Sequence, residues 1–230
     1  MFTHLAILAA ALAHPTVDLA SLKQVGYVGN ALKTTTAFLV GQCEVLTARH
    51  IMNQPKIGDR LTFHLPMTGQ KSSATIARMG EQNSTRKQGY NAGDWMLLSL
   101  DNCLGDDVGY FPLASWVPKF ADSWAAGGDG IVVAGYPGGW LGRGEPWMGP
   151  ACKVTDYRKD KITTNCMAYP GHSGSPVIGW HTEDGHASPY VIGILVTASG
   201  KKRVSEVVPI PHELTNAELS AGQSKGLIAR

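Results

Sequence analysis

Short apolar stretches recur along the chain, separated by clusters of Gly, Asn, Asp and Ser. Thr35-Thr36-Ala37-Phe38-Leu39-Val40, then Gly41-Gln42, then Cys43-Glu44-Val45-Leu46-Thr47-Ala48 predicts a hairpin with a tight turn. Arg60-Leu61-Thr62-Phe63-His64-Leu65 alternates polar and apolar residues, the pattern of a half-buried strand. Ser73 to Arg78 and Trp95 to Leu100 complete the first half. The second half predicts strands over Ile131 to Tyr136, Ser175 to Gly179, Tyr190 to Val196 and Arg203 to Val208. Helical periods are almost missing, so the class is all-β, and strands this short and frequent build sandwiches or closed barrels.

Between the halves, Trp116 to Gly130 ends in Gly127-Gly128-Asp129-Gly130 and reads as an inter-domain linker. Pro137 to Trp147 is a long Gly/Trp loop. The polar tail from Pro211 can form one helix over Glu213 to Leu219.

Composition and charge narrow the partners. With 230 residues the chain is long enough for one large β domain or two small ones. A net charge of +2 implies no strong field toward nucleic acid or an anionic membrane. Arg86-Lys87 and Lys201-Lys202-Arg203 are short and read as solvated turns. Near the N-terminus, Leu5 to Ala13 is apolar but too short to span a bilayer, which takes about 20 residues. Ala11-Leu12-Ala13 fits the small-x-small rule, so residues 1–13 read as a signal peptide, although Met1-Phe2-Thr3-His4 lacks Lys or Arg. The alternative is an N-terminal extension.

Four cysteines without a CxxC spacing argue against zinc and against a thioredoxin-like site. Cys152 and Cys166 flank two strand ends around a charged turn and can face each other across a hairpin, leaving Cys43 and Cys103 as the second pair. Disulfides and export go together, so a secreted or periplasmic location is expected. The other reading is four thiols in a reducing compartment.

The sharpest chemical signal is Gly171-His172-Ser173-Gly174-Ser175-Pro176. A serine hydroxyl attacks well only when a base takes its proton and preorganised donors meet the developing oxyanion. A glycine two residues earlier lets its own N–H and that of the serine point to one spot. Val45-Leu46-Thr47-Ala48-Arg49-His50 ends an apolar strand on a possible base, and Gly93-Asp94-Trp95-Met96 starts one on a carboxylate that can hold an imidazole N–H. Alone, each has an ordinary explanation: a glycine-rich turn, a core histidine, a strand-initiating cap. Together they make an ordered set of base, carboxylate and nucleophile.

Thr47-Ala48-Arg49-His50 resembles the Thr-Ala-Ala-His motif of trypsin-like proteases. Asp94-Trp95-Met96-Leu97 resembles their Asp-Ile-Ala-Leu motif, and Gly171 to Pro176 their Gly-Asp-Ser-Gly-Gly-Pro motif. The resemblance runs from about Gly26 to Pro209 and is nearest to the bacterial secreted branch related to glutamyl endopeptidases. It implies two antiparallel six-stranded β-barrels with an active site in the cleft between them. The expected division is a barrel over 22–116, a linker over 117–130, a second barrel over 131–210 and a tail over 211–230. It further implies a triad of His50, Asp94 and Ser173, with an oxyanion hole from the amides of Gly171 and Ser173. His172 replaces an aspartate that, in digestive members, pairs with a newly cut N-terminus, so that activation switch is not expected. Arg49 replaces an alanine and is expected to sit exposed beside the cleft.

By the same resemblance, Met167 or Ala168 forms the base of a specificity pocket, and Val196, Thr197 and Ala198 form its wall. None is acidic, which disfavours cleavage after Lys or Arg and favours a small or medium apolar P1 residue. His181-Thr182-Glu183-Asp184-Gly185-His186 has metal-binding residue types but lacks the helical HExxH spacing and reads as a hairpin loop. No metal or cofactor is expected. The expected function is serine endopeptidase, acting as a monomer on proteins or peptides, without nucleic acid and without a membrane once the signal is removed. The alternative, from another class, is a catalytically silent homologue that binds peptides or proteins. An esterase would need the Gly-x-Ser-x-Gly elbow leading into a helix.

Overall fold

The computed structural model describes residues 22–30, 33–81, 92–114, 130–138, 144–158, 160–183, 186–199 and 204–214. Six strands form a closed antiparallel barrel: β1 (Val25–Asn30), β2 (Lys33–Leu39), β3 (Glu44–Thr47), β4 (Arg60–Leu65), β5 (Gln70–Met79) and β6 (Met96–Leu100). Their order around it is β1-β2-β3-β6-β5-β4. Closure leaves no unpaired strand edge. Inside lie Leu39, Val45, Phe63, Leu65, Ile76, Met96 and Leu98.

The second unit is one antiparallel sheet built from β7 (Val132–Gly135), β8 (Trp147–Met148), β9 (Val154–Arg158), β10 (Lys161–Thr164), β11 (Pro176–Glu183), β12 (His186–Ser199) and β13 (Val204–Pro209). Its order is β8-β7-β11-β12-β13-β10-β9. Ile131, just before β7, exchanges both backbone hydrogen bonds with Cys152, just before β9. That bridge curls the six strands β7 to β9 of this order back on themselves. The extra strand β8 hangs on β7 and is too short for any periodicity to reveal. All but β1 and β8 fall on the stretches read as strands or strand ends from the sequence.

A third apolar cluster joins the two units. Strand alternation explains it: Ala37 and Leu39 of β2 face the first barrel's interior, whereas Phe38 packs with Ile178, Ile194 and Val208 of the second unit. β3 divides likewise, Val45 inward and Leu46 across. Burial on both faces gives the short apolar runs Ala37-Phe38-Leu39-Val40 and Val45-Leu46 instead of an alternation.

Among the described residues no helix is long and apolar enough to cross a membrane. The one α-helix there is Gly105–Val108, next to the Cys43–Cys103 disulfide; the second disulfide joins Cys152 and Cys166 across the β9–β10 hairpin. Of the expected tail helix, His212–Leu214 forms a 3-10 turn and the remainder lies outside the described residues, as do the signal segment 1–13 and all of the linker except Gly130.

Candidate active site

β3 and β6 are neighbours, with Thr47 opposite Met96. Antiparallel pairing therefore brings the residues just after β3 to the same rim as those just before β6. His50 sits in the 3-10 turn Arg49–Ile51 that follows β3, and Asp94 sits two residues ahead of β6. Asp94 is 2% exposed, yet both carboxylate oxygens are engaged. The backbone N–H of His50 donates to Oδ1 at 2.9 Å, and Nδ1 of His50 lies 2.8 Å from Oδ2. A buried carboxylate is tolerable when paired and hydrogen-bonded in this way.

On its other side, Nε2 of His50 lies 2.9 Å from Oγ of Ser173, which comes from the second unit. The carboxylate requires a proton on Nδ1, so the Nε2 lone pair faces the hydroxyl and can accept its proton. The structure thus brings His50, Asp94 and Ser173 together from positions far apart in the chain.

The loop around Ser173 is tied down on several sides. Gly174 has φ +84°, and a Cβ there would collide with the carbonyl of Thr36, so glycine is required. The Ser173 carbonyl accepts the Thr35 hydroxyl at 2.6 Å. The Gly171 carbonyl accepts the N–H and the hydroxyl of Thr36 at 3.2 and 3.1 Å. The Pro170 carbonyl accepts the Gly138 N–H at 2.8 Å. In a planar trans peptide the N–H points away from the C=O, so this bond turns the Gly171 N–H in the opposite direction. Among the described residues, neither the Gly171 nor the Ser173 N–H is engaged in a hydrogen bond, which leaves two donors available for an oxyanion.

A groove of about 550 Å³ runs past His50 and Ser173. Ala168, Val196, Thr197 and Ala198 line it; Met167 does not and is partly exposed. Apart from His50, no ionisable side chain of the acidic or basic type lines it among the described residues. A second hollow of about 420 Å³ adjoins it, sharing Thr34, Thr35 and Ile51.

Arg49 departs from expectation. It is half-buried, and its guanidinium donates to the carbonyl of Gly80 at the end of β5. A long cation here ties the turn bearing His50 to the strand end beside Asp94. Trp147 of the Gly/Trp loop packs on His172 and Tyr169, whereas Trp140 lies outside the described residues. Of His181 to His186, His181, Thr182 and Glu183 end β11 and His186 begins β12, with Glu183 paired to His186 through the backbone, while Asp184 and Gly185 lie outside the described residues. Sequence reasoning overlooked Thr35, Thr36 and Gly138. Three successive threonines ahead of an apolar run were the available signal, because hydroxyls buried in a strand need acceptors.

A family model described as a trypsin-like peptidase domain matches residues 35–194. Among curated proteins nothing matches. Among solved structures, a Glu endopeptidase is similar at TM-score 0.61 and 15% identity, covering 92% of this chain and 95% of that one. A serine protease of human pathogenic astrovirus is similar at TM-score 0.56 and 15% identity, over 86% and 94%. The active form of a protease from M. tuberculosis is similar at TM-score 0.53 and 18% identity, over 90% and 82%. Such low identities speak for the fold, and the family match spans well over half of the sequence. The chain belongs to the trypsin-like peptidase family and has the fold of its serine proteases.

Proposed function

We propose that the protein is an exported serine endopeptidase that cleaves peptide bonds through an acyl-enzyme on Ser173. The observation that carries this reading is the position of His50, within hydrogen-bond reach of Asp94 on one side and Ser173 on the other. Oγ of Ser173 attacks the scissile carbonyl carbon while Nε2 of His50 takes its proton. The oxyanion of the tetrahedral intermediate meets the N–H groups of Gly171 and Ser173. The imidazolium, stabilised by Asp94, returns its proton to the leaving amine, and the C–N bond breaks. Water, deprotonated by His50, then attacks the ester, releases the acid and restores Ser173.

Cleavage within a chain is supported by the second hollow that adjoins the groove at Thr34, Thr35 and Ile51, which offers room for more of a chain than the groove alone. The uncharged groove with Ala168, Val196 and Ala198 favours a small or medium apolar P1 residue. Export is supported by two disulfides, which persist in oxidising compartments.

A fluorophosphonate probe should label the wild-type protein and fail to label Ser173→Ala with the fold intact. A folded but unlabelled wild type would favour a catalytically silent, peptide-binding homologue. Cleavage of a peptide library then reads the P1 preference.

A further inference from the structure

We propose that His172, the residue before the nucleophile, is a positioning residue: its neutral imidazole accepts the Tyr169 N–H and holds the Gly171 amide aimed at the oxyanion. The inference rests on the peptidase reading above.

Its side chain is fully buried. Nδ1 accepts the N–H of Tyr169 at 2.9 Å, and the N–H of His172 donates to the carbonyl of Tyr169 at 3.0 Å. The two residues clasp each other twice and close Tyr169-Pro170-Gly171-His172 into a turn. Trp147 covers the imidazole at a centroid distance of 4.8 Å, and the Tyr169 ring packs on it at 5.9 Å.

An Nδ1 that accepts must carry a lone pair, so the proton resides on Nε2. Nε2 is buried without a hydrogen-bond partner among the described residues. Shape alone does not explain such a residue, because a leucine would fill similar space without an orphaned donor. What histidine adds is the acceptor at Nδ1. Burial accordingly pushes its pKa down to about 4, keeping the acceptor lone pair available near neutrality.

The clasp matters because of where it lies. The Pro170 and Gly171 carbonyls are held by Gly138 and Thr36, both from other segments. The Tyr169 peptide, which begins the turn, is held by His172. Without the Nδ1 acceptor the Tyr169 N–H is left unpaired and a single backbone bond closes the turn, so the Tyr169–Pro170 segment loosens and the Gly171 N–H drifts off its aim. The serine, its base and the Val196 to Ala198 wall of the groove are untouched, and only the Tyr169–Pro170 rim of the groove shifts, so the turnover step suffers more than binding.

The test uses the full chain as wild type, His172→Leu, His172→Asn and Ser173→Ala, with fluorophosphonate labelling and steady-state hydrolysis of an ester. His172→Leu should keep KM within about twofold and lower kcat by about a hundredfold, the scale of one lost oxyanion donor. His172→Asn, whose Oδ1 can replace Nδ1, should restore kcat to within about tenfold of wild type. Nitrogen NMR of the wild type near pH 7 should show His172 with Nδ1 bare and Nε2 protonated.

A labelled wild type with an unimpaired, folded His172→Leu overturns the inference alone. So does a protonated Nδ1, or a folded His172→Asn as impaired as a hundredfold loss. Should His172→Leu fail to fold, the asparagine variant and the nitrogen spectrum decide. A folded wild type that does not label overturns the peptidase reading and this inference with it.

Discussion

The hydroxyl of Thr36 and the carbonyl of Gly171 lie 3.1 Å apart although 135 positions separate them in the chain. Thr36 is fully buried where the two units meet, and it serves both. Its N–H also donates to Gly171, its Oγ1 accepts the N–H of Tyr136 at 2.9 Å, and its carbonyl accepts the Thr47 hydroxyl at 2.8 Å. Thr36→Val keeps the shape and β-branching but strands the Tyr136 N–H. The expected cost is about 2 kcal/mol, read from urea unfolding. The expected kinetic effect is a lower kcat, because the loop before Ser173 loses one anchor. A variant as stable as wild type would mean that the hydroxyl is not the joint between the units.

Such a joint was hard to see beforehand. In β2 a threonine satisfies strand propensity, so Thr36 looked like any β-branched strand residue. Nothing local says that its hydroxyl points at the other unit. β4 was legible because one face meets solvent, giving clean alternation over Arg60–Leu65. β12 runs over His186–Ser199, beyond Tyr190 to Val196, since backbone pairing with β11 carries polar residues to the hairpin tip. β1 is not legible because Gly26 and Gly29 break its apolar pattern, and two-residue β8 because it has none. His50 and Asp94 are legible as candidates at the end and the head of apolar strands, and Ser173 through the glycines on either side of it. The bonds that hold their surroundings, from Thr35, Thr36, Gly138 and Arg49, depend on tertiary placement that a linear pattern does not encode.

Asp94→Asn tests the carboxylate. Both oxygens of Asp94 accept hydrogen bonds, one from the His50 backbone and one from Nδ1. An amide can meet only one of these as an acceptor, and its NH₂ facing Nδ1 would favour the tautomer with the proton on Nε2. That proton would face the Ser173 hydroxyl and block deprotonation. For this type of triad the loss is about 10⁴ in kcat, with the geometry kept. Ester hydrolysis at neutral pH measures it, and a loss below about tenfold would contradict the role.

Two glycines with positive φ should respond differently to alanine. Gly69 has φ +72° with open space where a Cβ would lie, so Gly69→Ala meets only the backbone penalty, about 1 kcal/mol, without loss of turnover. Gly174 has the same handedness, but its Cβ would strike the Thr36 carbonyl and the Thr47 hydroxyl. Gly174→Ala must displace the loop carrying Ser173 or the strand carrying Thr36. Turnover should be lost and stability should fall by more than about 2 kcal/mol. Equal effects of the two substitutions would refute the packing argument.

The Cys152–Cys166 disulfide closes the β9–β10 hairpin and stands beside the groove. The Cys166 carbonyl accepts the Ser205 hydroxyl at 2.9 Å, and Ala168, two residues on, lines the groove. Replacing both cysteines by alanine should cost about 3 kcal/mol for a loop of this length. Removing Cys43–Cys103, which closes a longer loop, should cost about 4 kcal/mol. The two losses should differ in kinetics. The first should raise KM for peptides through the loosened groove wall, whereas the second, remote from the groove, should leave KM unchanged. Thermal unfolding and peptide kinetics on the two double variants separate these outcomes.

Acid should destabilise the protein partly through His172. In the unfolded chain its imidazole titrates near 6.5, while burial holds it down to about 4 in the folded protein. Between those values the unfolded chain binds a proton that the folded chain refuses, so stability rises with pH across that window. The contribution is complete above about pH 6.5 and is lost as pH falls through about 4, amounting to roughly 3 kcal/mol. His64, stacked on Tyr27, is also held below its ordinary value by burial and by Lys71, so it adds a slope of the same sign. His172→Asn retains His64 and removes only the other share. Urea midpoints between pH 4 and 7 should therefore depend less steeply on pH in the variant than in the wild type. Parallel curves would show that His172 is not the group whose burial the folded state protects.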